Sequence, residues 1–196
     1  MNEVVVRPYD RTFSDLFFED VFFRRVHQSV VVKFPFFETK EAWEAWFSAH
    51  EYQKAKGYAA RVLSRKGCLS QELKTALEKR LFSKETIEKV ILKFETDGAL
   101  DDSSYLHRFV EKELSRGRGP HLIAQKLRYQ KKVPDESIQS LLKHLDVTPS
   151  LEKLLKNYTQ AELENPKERQ KIIGKLHRKG FPLEEIFRLI QPPSSP

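Results

Sequence analysis

Residues 172–182 read Ile-Ile-Gly-Lys-Leu-His-Arg-Lys-Gly-Phe-Pro, and two earlier stretches of the chain repeat this pattern of residue types. The earlier copies run from Leu73 to Ser83 and from Ile123 to Pro134, a period of about 50 residues. Each copy has apolar residues four positions apart, as on one helix face, followed by basic residues. Each copy ends in Ser or Pro, and both residues are favoured at the start of a helix, here the second helix of the pair. The pattern predicts three copies of a helix pair joined by a basic turn.

A further helical segment precedes each pair, so the predicted unit has three helices. These leading helices are expected at Tyr52–Ser64, Ser103–Leu114 and Leu151–Ala161. The middle copy has one extra residue between Leu127 and Val133, which we expect to bulge the turn at Tyr129-Gln130. A unit of this size has little core of its own, so neighbouring units are expected to share apolar surface or to form an extended row.

The fold class that follows is mainly α, with three tandem three-helix repeats and a small N-terminal segment of mixed strand and helix. The predicted repeats span residues 51–100, 101–146 and 147–191. They follow an aromatic-rich segment, residues 1–50, and precede a Pro- and Ser-rich tail, residues 192–196, which is expected to be disordered.

The first 50 residues differ from the rest in charge and in aromatic content. They have a net charge of −2 against +9 for the remainder, and they contain nine of the 14 phenylalanines and both tryptophans. Val4–Val6 and Val30–Phe34 are predicted strands, and Thr39 is predicted to cap a helix. Phe13–Val26 fits neither the period of a helix nor that of a strand. Core packing is the expected role of the aromatic side chains, with docking on a partner as the alternative.

Composition excludes several classes of protein. The single cysteine, Cys68, forms no intramolecular disulfide, and a disulfide-rich secreted scaffold is therefore excluded. Charged residues interrupt the most apolar stretch, residues 13–37, so no membrane span or export signal is expected. These features favour a cytoplasmic protein. The net charge of +7 favours a polyanionic or acidic partner.

Catalytic patterns are scarce in the chain. The six histidines lack the spacing of a helical zinc site, and the stretch from Gly117 to Pro120 lacks the Lys-Ser/Thr of a phosphate-binding loop. Asp101 and Asp102 are paired carboxylates, but they stand where one helix ends and another begins, where capping is the expected role. The sequence therefore offers few candidate catalytic residues, and no metal or cofactor is expected.

Basic residues at the recurring turns are the remaining candidate site. We expect them to bind a phosphate backbone or an acidic filament, with a solvated charged surface as the alternative. Few aromatic residues are interleaved with them, so sequence-specific base reading is poorly supported. The candidate residues are Arg61, Arg65, Lys66, Arg116, Arg118, Arg128, Lys131, Lys132, Lys175, Arg178 and Lys179.

Four stretches, in order along the chain, resemble signatures of the RecX family, bacterial regulators of the RecA recombinase. The first is Arg61-Val-Leu-Ser-Arg65-Lys-Gly-Cys-Leu-Ser70-Gln-Glu72-Leu73. The second is Gly98-Ala-Leu-Asp101-Asp102 with Tyr105 and Phe109-Val110, and the third is Arg116-Gly117-Arg118-Gly119-Pro120 with Ile123 and Lys126-Leu127. The fourth is Leu176-His-Arg178-Lys179-Gly180-Phe181. Together the matches cover about residues 52–191.

The resemblance implies three tandem three-helix repeats in a curved, elongated molecule. It implies a protein that lies in the groove of a RecA filament on single-stranded DNA, where we expect weak, sequence-independent contact to the DNA. Exposed helix edges favour a monomer. The family restrains ATP hydrolysis, strand exchange and the coprotease activity of the filament, and it is not an enzyme. Two other functions stay open: a DNA-binding module that acts without RecA, and a helical scaffold for an acidic protein.

The chain departs from the family pattern at three positions. A glycine usually follows the basic residues of the first and middle repeats, but Arg80-Leu81 and Lys132 stand there. A glutamate usually precedes Leu127, but the residue is Lys126. The missing glycines put the shape of these turns in question, and Lys126 makes the middle repeat more basic. The resemblance does not cover the aromatic N-terminal segment.

Overall fold

The structure is a computed structural model, and it describes residues 4–190. These form two compact units, residues 4–102 and 103–190. Within this part of the chain there are three strands and ten α-helices, so the prediction of a mainly α fold with a small N-terminal segment of mixed strand and helix is confirmed. The predicted tail, residues 192–196, lies outside the described residues.

A three-stranded antiparallel sheet opens the first unit. Its strands are β1 (Val4–Pro8), β2 (Phe13–Phe18) and β3 (Val21–His27), in the order β1-β2-β3. The stretch that fitted no period is the β2–β3 hairpin, because an irregularity in the pairing at Leu16/Phe17 shifts the alternation of the side chains. Its two-residue turn, Glu19-Asp20, has both residues at positive φ, 50° and 59°.

The predicted strand at Val30–Phe34 is wrong. Gln28–Val30 is a short 3₁₀ helix, and residues 31–38 have no regular secondary structure. Packing on the next helix replaces pairing in the sheet: Val30 is buried, and its carbonyl lies 3.0 Å from Nε2 of His50. Phe34 makes an edge contact with the Trp43 ring. The β-branched composition thus reflects burial rather than strand pairing.

The first helix is α1 (Lys40–Lys66), and Thr39 caps it as predicted, since Oγ1 accepts from the Ala42 amide at 3.2 Å. Trp43 is fully buried among aromatic rings that include Phe23 and Phe47, so these side chains have the expected core role, whereas Phe22 and Phe36 of the same segment are exposed. Residue 50, the predicted end of the aromatic-rich segment, falls inside α1. One half of the helix carries the aromatic core, and the other half carries basic residues.

Two shorter helices, α2 (Ser70–Glu78) and α3 (Lys84–Thr96), complete the first unit. Asp102 caps a helix as expected, but the helix is α2: its carboxylate accepts from the Ser70 amide at 2.7 Å and from the Ser70 hydroxyl at 2.6 Å. Sheet, α1, α2 and α3 share one apolar core that runs from Leu16 to Leu100.

The second unit is helical throughout its regular structure. The helices are α4 (Asp102–Ser115), α5 (Pro120–Lys131), α6 (Asp135–Leu142), α7 (Thr148–Leu155), α8 (Gln160–Glu164), α9 (Pro166–Arg178) and α10 (Leu183–Ile190). The expected helix at Leu151–Ala161 is instead α7 and α8. Thr159 separates them because its hydroxyl and the Glu162 carboxylate form a capping box, which starts a new helix.

The basic turns keep one backbone shape despite the missing glycines. Leu81 and Lys132 both adopt a positive φ of 57°, at the positions equivalent to Gly180, which has φ of 90°. The expected bulge at Tyr129-Gln130 is wrong, because both residues are helical and the extra residue lengthens α5. The apolar residue after each turn is buried and donates its amide to the preceding core leucine, as Phe82 does to Leu77.

Candidate functional site

The eleven predicted cations divide into two groups by the contacts of their side chains. Five of them contact another side chain of the protein: Arg116, Arg118, Arg128, Lys131 and Lys175. The other six have no side-chain hydrogen bond or ion pair within residues 4–190: Arg61, Arg65, Lys66, Lys132, Arg178 and Lys179. The second group is free to bind a partner.

Three unpaired cations of the first unit line one groove. Arg61, Arg65 and Lys66 lie in the last turns of α1, on the face that also carries Tyr58 and Val62. The groove has a volume of about 490 Å³, and its sixth lining residue is Arg80, from the turn after α2. The structure thus adds a fourth cation to the three that the sequence predicted.

Arg80 is held in place by two aromatic rings. Its guanidinium carbon lies 4.1 Å from the centre of the Tyr58 ring, and its Nη1 atom lies 3.1 Å from Nε2 of His27. Burial lowers the pKa of His27, and the charge of Arg80 lowers it further, so the neutral ring is favoured beside the guanidinium group. A signal for Arg80 was present in the sequence, because Lys79-Arg80 occupies the recurring basic turn.

A buried carboxylate braces the turn that carries Arg80. Glu51 of α1 is 2% exposed and accepts hydrogen bonds from the hydroxyls of Ser83, at 2.7 Å, and Thr86, at 2.9 Å. Arg24 of β3 pairs with Glu51 at 3.1 Å and donates to the Leu81 carbonyl at 2.5 Å. Sheet, α1 and the turn are therefore joined by one polar network, which the sequence patterns did not indicate.

In the second unit, two of the predicted cations neutralise a buried acid. Glu113 of α4 is 3% exposed and accepts from Arg116 at 3.0 Å, from Arg118, and from Lys126 of α5 at 2.6 Å. Burial alone would raise the pKa of Glu113, but the three hydrogen bonds outweigh burial and lower it to about 2. Arg116 and Arg118 thus have a structural role, and Lys126 shares it.

Two basic turns of the second unit touch through their backbones. The Gly119 amide donates to the Lys179 carbonyl at 2.7 Å, and the His121 amide donates to the Gly180 carbonyl at 3.0 Å. Amides at the start of α5 thereby satisfy carbonyls just after α9. A Cβ atom on Gly119 would lie 2.3 Å from the carbonyl carbon of Gly180, so only glycine fits.

The remaining predicted cations of the middle repeat lie at the other end of α5. This helix has 12 residues, which separates them from Gly119 by about 17 Å along the axis. Arg128 pairs with Asp135 at 2.6 Å, and Lys131 donates to the Tyr105 hydroxyl at 2.6 Å. Lys132 is exposed. The basic residues of the second unit therefore form two groups, not one continuous cluster.

Within residues 4–190, no group of three or more His, Cys, Asp or Glu side chains has the geometry of a metal site. None of the helices described is long and apolar enough to span a membrane.

Comparison with known proteins identifies relatives over most of the chain. The family model for the third three-helix domain of RecX matches residues 151–190. The regulatory protein RecX of Prosthecochloris aestuarii is 33% identical over 120 residues, which cover 59% of this chain and 78% of that protein. The regulatory protein RecX of Chlorobium phaeobacteroides is 29% identical over 147 residues, which cover 69% of this chain and 95% of that protein.

The fold is similar to a solved structure. A crystal structure of regulatory protein RecX aligns with a TM-score of 0.60 and 19% identity, over 97% of this chain and 98% of that one. The fold likeness agrees with the sequence relatives, and the resemblance found in the motifs is confirmed. The chain belongs to the RecX family.

Proposed function

We propose that this protein regulates a RecA recombinase by binding the RecA filament on single-stranded DNA. In this proposal it restrains ATP hydrolysis, strand exchange and the coprotease activity of the filament. It acts in the cytoplasm as a monomer, through binding alone, without a metal, a cofactor or a catalytic residue. Residues 51–100, 101–146 and 147–191 are the three binding repeats. Membership of the RecX family is the observation that carries the proposal.

The unpaired cations support the binding part of the proposal. Six of the eleven predicted residues keep side chains without a partner among residues 4–190, and they occur in both units. Several weak charge contacts on one chain act together through multivalency, so a filament with many repeated subunits suits them. Each single exposed charge contributes little.

A sedimentation assay separates this function from the two alternatives. The protein is centrifuged with RecA filaments on single-stranded DNA, with the DNA alone and with RecA alone. We expect most protein in the pellet only when both RecA and DNA are present. Equal recovery with DNA alone would favour a DNA-binding module. Absence from every pellet would contradict the proposal and favour a scaffold for an acidic protein.

A further inference from the structure

The groove beside Tyr58 concentrates positive charge that the protein does not neutralise. Arg61, Arg65, Lys66 and Arg80 supply four of its six lining residues, and no carboxylate is among them. None of the four forms an ion pair with a residue that the structure describes. The Glu113 cluster differs, because there one buried acid occupies three cations.

Arg80 is preorganised for binding an anion. Tyr58 and His27 fix its guanidinium group, so less conformational entropy is lost when the group binds a ligand. Arg61 and Arg65 stand one above the other on α1, about 6 Å apart along the helix axis. That rise is close to the separation of neighbouring phosphates on an extended single strand.

We propose that this groove binds the phosphate backbone of single-stranded DNA, with Arg80 as the fixed contact and the α1 cations on neighbouring phosphates. Guanidinium groups suit phosphate because they donate two parallel hydrogen bonds. Arg80 already covers one face of Tyr58, so the ring positions Arg80 instead of stacking on bases. Binding is therefore independent of sequence. The inference rests on the proposed function, and it assigns the DNA contact to the first unit.

The test measures binding of a fluorescently labelled oligothymidylate by anisotropy, without RecA. We expect Arg80→Ala to weaken binding about tenfold. Arg80→Lys should recover part of that loss, because lysine keeps the positive charge but cannot donate two parallel hydrogen bonds to one phosphate. The side chains of Arg61 and Arg65 form no hydrogen bond or ion pair among residues 4–190. The double variant R61A/R65A should weaken binding, and the slope of log Kd against log salt concentration should fall by the amount expected for about two phosphate contacts. Lys153→Ala, at an exposed cation of α7 outside the candidate residues, is the matched control and should leave binding unchanged.

Three results would overturn the inference. They are unchanged binding by both the Arg80→Ala and the R61A/R65A proteins, an equal loss on Lys153→Ala, or displacement of the DNA by equimolar inorganic phosphate. The last result would assign the groove to free phosphate instead. Circular dichroism shows whether each variant is folded. Because RecA is absent, this assay can fail while the protein still inhibits RecA, and it can succeed when the protein does not.

Discussion

At the scale of single residues, Glu113 is a buried carboxylate whose charge stabilises the fold. It is almost fully buried and pairs with three cations. Replacing it with Gln should lower the free energy of unfolding by about 3 kcal/mol, because the buried carboxylate loses its charge-assisted hydrogen bonds from three partly exposed cations. Urea denaturation at neutral pH measures the change. Glu136→Gln, an exposed carboxylate of α6, is the control and should have little effect.

The same residue predicts a pH dependence. The pKa of Glu113 is about 2 in the folded protein, below its ordinary value, so the carboxylate stabilises the fold at neutral pH. That contribution is complete above about pH 5 and is lost as pH falls toward 2. The stability difference between wild type and Glu113→Gln should therefore shrink over this range. A difference that stays constant down to pH 2 would show that the pairing is not electrostatic.

Lys132 tests the backbone strain in the middle turn. It has φ of 57° and ψ of 31°, which glycine adopts without penalty. Lys132→Gly should raise the free energy of unfolding by about 1 kcal/mol, whereas Lys132→Ala should give no gain. Thermal denaturation of the three proteins compares them. Equal stability of the Gly and Ala variants would contradict the assigned conformation.

At the scale of elements, the contact between α5 and the turn after α9 depends on Gly119. Its Cβ-free backbone allows two hydrogen bonds between the turns. Gly119→Ala should lower the stability of the protein by at least about 2 kcal/mol, because the new methyl group would overlap the Gly180 backbone.

Gly57 provides the control for that substitution. It lies within α1, and a Cβ atom there would meet no atom within 4 Å. Gly57→Ala should therefore stabilise the protein by about 0.5–1 kcal/mol, since alanine favours a helix. If both Ala variants changed stability by the same amount and sign, the close approach of the two turns would be wrong.

Local sequence patterns predicted most of these elements. The apolar spacing indicated the helices of the three repeats, and capping chemistry located Thr39 and Ser83 at helix starts. One pattern failed where distant packing decides the structure, because Val30–Phe34 packs on α1 instead of pairing. Another failed because the local capping box of Thr159 and Glu162 divides a segment whose apolar periodicity suggested one helix. The pairing irregularity in the β hairpin conceals the strand period.

Candidate residues were predictable by type but not by partner. Recurrence at the turns indicated the cations, yet it could not show that Arg116 and Arg118 surround a buried acid. Nor could it show that Arg80 reaches the groove, because His27 and Tyr58 are distant from it in sequence. Ion pairing depends on the folded arrangement, which repeat patterns do not encode.

At the scale of the whole molecule, the acidic aromatic segment and the first repeat form one structural unit. The change in composition near residue 50 falls within α1 and does not mark a boundary between folding units. The sheet and the first three helices share one apolar core. The excess of positive charge lies partly in internal ion pairs and partly on exposed turns. Only the exposed part is available for the proposed filament contact.

The ATPase activity of RecA on single-stranded DNA tests the central claim most directly. Wild-type protein is titrated into the assay beside a variant that replaces Arg61, Arg65, Arg80 and Lys179 with Ala. Wild type should reduce ATP hydrolysis in a dose-dependent and saturable manner, and the variant should need a much higher concentration, because many weak contacts are lost together. Unchanged hydrolysis at saturating wild-type protein would contradict the proposed regulation of RecA.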